Sequence, residues 1–276
     1  MMRRYLEIVV TGWLLLAAAA VFAQVEVQPT QRLALVVGNG AYGQTPIEHA
    51  QGDAEALGAR LQALGFEVLL HRDLNLDQLR TALDQFTGRL AEGAVGLFFY
   101  VGHGLQIEGD NYLVPVDAKA GYASEIAEQC LPLSATLNQL AGSGAGNVVA
   151  LIDAARPHPL RSRSLKKARG LAPMAPPAGV TLMLADAPDS PHRFGPEPMD
   201  AADESPQGVF TRALLEALTV PHLTLSQLLR QVQATVGEAT LEQRRPWIAG
   251  PPTAVIFLND PLERFGRLLS ESSVAD

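Results

Sequence analysis

Four short apolar runs constrain this chain more than any other feature. They are Leu33–Val37, Val95–Val101, Val148–Ile152 and Val180–Ala185, and none contains a charged side chain. Such runs fit strands buried on both faces, the pattern of a parallel sheet covered by helices. Segments of helical spacing lie between them: Ala54, Leu57, Leu61 and Leu64 share one face, as do Leu76, Leu79, Leu83, Phe86 and Leu90. Strands alternating with helices of this length specify an α/β fold built on a mainly parallel, doubly wound sheet flanked by helices.

The elements follow in order. A strand at 33–37 leads to a helix from Asp53, with Asp53 suited to its N-cap and Gly65 to its end. Then come a strand at 66–70, a helix at 76–90, a strand at 95–100 and a hairpin around Glu108-Gly109-Asp110-Asn111. A helix near 133–140 precedes the strand that ends at Asp153. The strand at 180–185, helices at 209–218 and 225–236, and a last strand at 254–258 complete one domain, residues 31–260, with a tail at 261–276. No internal repeat is visible.

Residues 1–23 read as a signal peptide. Arg3 and Arg4 precede an apolar run from Ile8 to Ala20, and Val21 and Ala23 make a small-x-small cleavage site. The run is shorter than a spanning helix wants, although an uncleaved anchor is the alternative. Residues 24–30 then form a linker, and the mature chain is expected to be periplasmic or secreted, with no membrane attachment after cleavage. A net charge of −8 argues against a general nucleic-acid partner. The single cysteine, Cys130, cannot form an internal disulfide. It is either a displaced nucleophile or a packing residue, and packing is the favoured reading.

In open α/β sheets, reactive groups sit just past the carboxyl tips of the strands. The run at 95–101 ends in Gly102-His103-Gly104, and the strand after it ends in Asp153-Ala154-Ala155-Arg156. A histidine at one tip and a nucleophile at the next is the layout of a His/Cys dyad. Here the histidine stands, and alanine occupies the other position. The histidines at 49, 71, 192 and 222 show no metal spacing and read as surface or loop residues.

On these residues the chain resembles the caspase/metacaspase family of cysteine peptidases, in particular its bacterial members. The landmarks run in order through Leu33-Ala34-Leu35-Val36-Val37-Gly38-Asn39, Tyr42, Gly52-Asp53-Ala54, Leu64-Gly65-Phe66-Glu67-Val68 and Gly102-His103-Gly104. They continue through Asn111-Tyr112-Leu113-Val114-Pro115-Val116-Asp117, Asp153-Ala154-Ala155-Arg156, Gly208-Val209-Phe210-Thr211 and Gln243-Arg244-Arg245-Pro246-Trp247. The resemblance implies a caspase-like fold. It makes His103 the base, the Gly104 amide an oxyanion donor, and Ala155 the vacant nucleophile position. It also implies that Asp53 and Asp153 line a pocket for a basic side chain; as plain structure they would be a helix cap and a strand-end acid. Gly52 departs from the family's usual asparagine.

Alanine has no lone pair with which to attack a carbonyl, and triads stripped of a member retain only about 10³–10⁴-fold acceleration over water. The expectation is a pseudoenzyme whose groove retains basic peptides or a protein partner. The alternatives are a cysteine peptidase whose cysteine was replaced at position 155, and a scaffold module without a working groove. No cofactor is expected, with calcium a possible ligand of the acidic loop 186–204. The basic loop 156–169 carries Arg156, Arg161, Arg163, Lys166, Lys167 and Arg169. It is either a solvated loop or a segment lying in the groove as a pseudosubstrate.

Overall fold

The computed structural model describes residues 31–120, 122–154, 171–188, 205–252 and 254–261. Ala155, the basic loop, all but the start of the acidic loop, the proposed signal peptide and linker, and nearly all of the tail lie outside the described residues.

A six-stranded sheet runs through the middle in the order β2-β1-β3-β7-β8-β9. Its members are β1 (Arg32–Gly38), β2 (Glu67–Arg72), β3 (Val95–Val101), β7 (Asn147–Asp153), β8 (Val180–Leu184) and β9 (Trp247–Ala249). All pairs are parallel except β8–β9. The expected α/β architecture, a mainly parallel sheet flanked by helices, is therefore present. A second sheet, β4-β5-β6, is a small antiparallel hairpin and strand: β4 (His103–Ile107), β5 (Asp110–Val114) and β6 (Leu131–Pro132). Its turn uses Glu108 and Gly109, both at positive φ (51° and 93°), as a two-residue hairpin of matching twist requires.

Six helices complete the described fold: α1 (Ala50–Ala63), α2 (Leu76–Arg89), α3 (Ala123–Gln129), α4 (Leu133–Ala141), α5 (Val209–Ala217) and α6 (Leu225–Ala239). Alternate residues of the same strands supply two separate cores. Ala34, Val36, Leu97, Phe99, Val149 and Leu151 face α1, α5 and α6. Leu33, Leu35, Phe98, Tyr100, Ala150 and Ile152 face α2 and α4. This division explains why the strands read as continuous apolar runs, because every position is interior on one side or the other.

The chain leaves β1 towards β2 on one side, and returns to β3 on the other. The order therefore reverses between β1 and β3, which is the crevice where ligands settle in sheets of this kind. Asn39, just past β1, donates its amide N–H to the carbonyl of Val101 (2.9 Å) and so ties the two tips across that crevice.

Three expectations need correction. The last strand is β9, not residues 254–258. Gly250 at φ +66°, followed by Pro251 and Pro252, ends β9, and only an isolated bridge joins Thr224 to Phe257. The apolar alternation at 254–258 serves instead as a strap with Ile256 and Leu258 buried and Val255 exposed. Arg32 holds it, donating from Nη1 to the Leu258 carbonyl (2.9 Å) and from Nη2 to that of Phe257 (3.0 Å). Second, α1 begins at Ala50, so His49 holds the N-cap position and Asp53 lies in the first turn. Third, α3 and β6 have no counterpart in the sequence reading, because both are too short for a periodicity to register. Gly65 does follow α1 at φ +82°, the left-handed stop expected of it.

Candidate functional site

The glycines flanking His103 are dictated by close approach. A Cβ on Gly102 would sit 2.6 Å from the Tyr100 hydroxyl and 2.8 Å from that of Tyr42. One on Gly104 would meet the Ala154 Cβ at 2.8 Å and its carbonyl oxygen at 2.9 Å. The backbone thus runs directly against two phenols on one side and against the tip of β7 on the other. Gly102 also donates its N–H to the Asp153 carbonyl (3.1 Å), extending the β3–β7 pairing by one bond. His103, Gly104, Asp153 and Ala154 are therefore brought together, as the motif spacing anticipated.

His103 is held at both ends. Its backbone N–H donates to the Tyr42 hydroxyl (3.0 Å), and the Tyr42 ring stands edge-on to the imidazole with centroids 4.4 Å apart. The ring nitrogen Nε2 lies 2.7 Å from the Thr45 carbonyl and 3.1 Å from its hydroxyl. A carbonyl can only accept, so Nε2 carries the proton, and in the neutral ring the basic nitrogen is Nδ1. The ring is thus anchored through Nε2, with its proton placed by a backbone carbonyl.

Behind the histidine, Tyr42 and Tyr100 place both hydroxyls 2.8 Å from the Val114 carbonyl and 3.2 Å from each other. Burial, and then the neighbouring Tyr42, push the Tyr100 phenol well above its ordinary range, so it stays a proton donor. The loop that brings Tyr42 and Thr45 over the site is pinned by Asp73. Its Oδ1 accepts from the N–H groups of Gly40 and Ala41 (2.8 Å each), and its Oδ2 accepts from Gln51. Thr45, Tyr100 and Asp73 carry no sequence signal for these roles. Thr45 offers its own backbone carbonyl, and Tyr100 and Asp73 bind backbone groups of other residues, which no motif records.

The two acids expected to line a pocket are both deeply buried and each has partners within the chain. Asp53 receives the Gly208 N–H on Oδ1 (3.0 Å), and its Oδ2 lies 2.7 Å from His49 Nδ1. His49 is thus half-buried and engaged at the start of α1, not a plain surface residue. Asp153 pairs with Arg244, whose Nη2 lies 3.5 Å from Oδ1. Asp186, just past β8, accepts from the Arg245 N–H (3.4 Å).

Cys130 is fully buried in the core below β5, and burial pushes its thiol up to about 12. A thiol of that kind supplies no thiolate near neutral pH, which leaves packing as its role. The β4–β5 hairpin lies against Ala154 and against Leu171 and Ala172. Asn111 donates to the Ala172 carbonyl (2.8 Å) and accepts from its N–H (2.6 Å), while Gly104 touches both Ala154 and Leu171. Among the described residues, no group of three or more His, Cys, Asp or Glu side chains could hold a metal ion.

This geometry coincides with a match of residues 31–256 to the family described as the caspase domain. The chain belongs to the caspase domain family. It is a cysteine-peptidase-like domain by that membership. It is similar to the mucosa-associated lymphoid tissue lymphoma translocation protein 1 of Homo sapiens, 34% identical over 126 residues. The Mus musculus homolog is 33% identical over 126 residues. Each match covers 45% of this chain and 15% of the relative's length, so this chain corresponds to only a small part of either protein.

Proposed function

We propose that this caspase domain is a non-cleaving member of its family, exported from the cell's interior, that binds basic peptides or a protein partner at the β3 and β7 tips. The observation that carries the reading is the contact of Gly104 with Ala154, joined to the sequence, in which the next residue is alanine. By resemblance that next position belongs to the nucleophile. A methyl group there can neither attack a carbonyl nor exchange a proton with His103. The oriented imidazole, the Gly104 amide and the acids Asp53 and Asp153 are the parts such a groove would retain. Asp153 is the natural counter-charge for an arginine or lysine side chain. Export rests on the charged, apolar and small-residue order of the first 23 residues.

The test compares the native chain with Ala155→Cys on fluorogenic peptides cut after arginine or lysine. Cleavage by the variant alone is the expected result. If neither protein cleaves while the variant's thiol is accessible, the groove reading fails. Cleavage by the native chain overturns the non-cleaving assignment outright.

A further inference from the structure

The segment between α6 and β9 has no assigned role, yet it is more tightly specified than a connecting loop needs to be. Leu241 and Glu242 are consecutive non-glycine residues in the left-handed region, at φ 51° and 61°. Two such residues in a row are costly and persist only where the surroundings enforce them. The enforcement is visible. The Thr240 hydroxyl accepts the Arg244 N–H (3.0 Å) and lies 2.7 Å from the Val236 carbonyl. The Glu242 N–H donates to the Gly237 carbonyl (2.7 Å), and Gln233 donates to that of Pro246 (2.6 Å). The product of this turn is a division between adjacent arginines. Arg245 goes outward to an exposed pair with Glu242 (2.7 Å). Arg244 goes inward, its side chain only 12% exposed, to Asp153.

Asp153 is not a generic acid. Its carbonyl receives the Gly102 N–H and its chain neighbour Ala154 touches Gly104, so its carboxylate belongs to the tip that carries His103. We propose that Arg244 occupies, from within the chain, the place that a peptide's arginine would take on Asp153, and that a basic ligand binds by displacing it. This rests on the basic-peptide reading above and names what sets its affinity. Asp153 is buried, with Arg244 against it, so a second guanidinium reaches this carboxylate by taking the place of the first. The Arg244–Asp153 contact of 3.5 Å is longer than the roughly 2.7–2.9 Å of a well-formed charge-assisted bond, so an incoming fork that closes to the shorter distance gains on exchange. A resident competitor lowers apparent affinity by the fraction of time it stays in place.

The experiment titrates Nα-acetyl-arginine methylamide, and its neutral citrulline counterpart, into the full chain, Arg244→Gln, Asp153→Asn and the double variant, by calorimetry and by thermal shift. The expected result is that Arg244→Gln binds the arginine ligand roughly tenfold or more tighter than the native chain, the resident no longer competing. The citrulline ligand shows no such gain, and the double variant loses it. Equal affinity of Arg244→Gln and the native chain overturns the inference, as does a gain that survives in the double variant. If Asp153→Asn weakens native binding while Arg244→Gln changes nothing, displacement is wrong and the basic groove stands. Binding by none of the proteins removes the groove reading and this inference with it. Should Arg244→Gln not fold, Arg244→Lys keeps the charge without the planar fork. It is then expected to bind the arginine ligand more tightly than the native chain, and unchanged affinity again overturns the idea.

Discussion

The imidazole of His103 donates from Nε2 to the backbone carbonyl of Thr45, 2.7 Å away. A carbonyl cannot reverse its role in that bond, so the pairing fixes the tautomer of the ring independently of anything at position 155. The orientation of this imidazole is thus a property of the loop after β1.

Tyr42 is the second support of that orientation, through the His103 N–H. Replacing it with phenylalanine keeps the ring contact and removes the acceptor from a buried donor. The expected cost is about 1–3 kcal/mol, the usual penalty for stranding a buried polar group. Urea denaturation of Tyr42→Phe against the native chain reads it directly, and an unchanged midpoint would mean that the N–H finds another acceptor.

Gly104→Ala tests the close approach at the β7 tip. The added methyl meets Ala154 at 2.8 Å and its carbonyl at 2.9 Å, atoms that cannot rotate away. Overpacking of this kind costs about 1–3 kcal/mol. The same substitution in an Ala155→Cys background is expected to abolish any regained cleavage. Activity surviving Gly104→Ala would show that the two tips need not be so close.

Cys130 gives a pH prediction. Its folded-state value is pushed up to about 12 from an ordinary value of 9.0, so the folded chain keeps the proton where the unfolded chain has lost it. Its contribution to stability is full below about 9 and declines as pH rises from there towards 12. Cys130→Ala is expected to flatten that part of the stability profile. At pH 8 a thiol reagent should label the chain only after denaturation, and rapid labelling of the native protein would contradict the burial.

Arg32 anchors the strap at 254–258 through the carbonyls of Phe257 and Leu258. Arg32→Leu leaves both acceptors without their donor. Hydrogen exchange at the Leu225 amide, which donates to the Ile256 carbonyl (2.7 Å), should accelerate while the β1 and β3 amides stay protected. Uniform protection would mean that the strap holds by its buried Ile256 and Leu258 alone.

The sequence made the sheet legible because β1, β3, β7 and β8 are interior on both faces, and a run such as Val95–Val101 admits no other use. The site was half legible. Gly102-His103-Gly104 and Asp153 stand out because glycines and strand-end acids are visible as letters. Thr45 was not, since it contributes a carbonyl that any residue could supply. Arg244 was visible as a letter but not as a partner, because its pairing with Asp153 spans ninety-one positions and depends on the turn at Leu241 and Glu242. The strap misread as a strand shows the same limit: alternating burial looks alike whether a sheet edge or a helix entrance receives it.

The guanidinium of Arg32 also joins the opening strand to the final described stretch of the chain. A folding unit whose entrance and exit meet at one side chain can be spliced into a longer polypeptide without prying its host apart. That portability suits a domain whose matched stretch is 15% of the length of its human and mouse relatives.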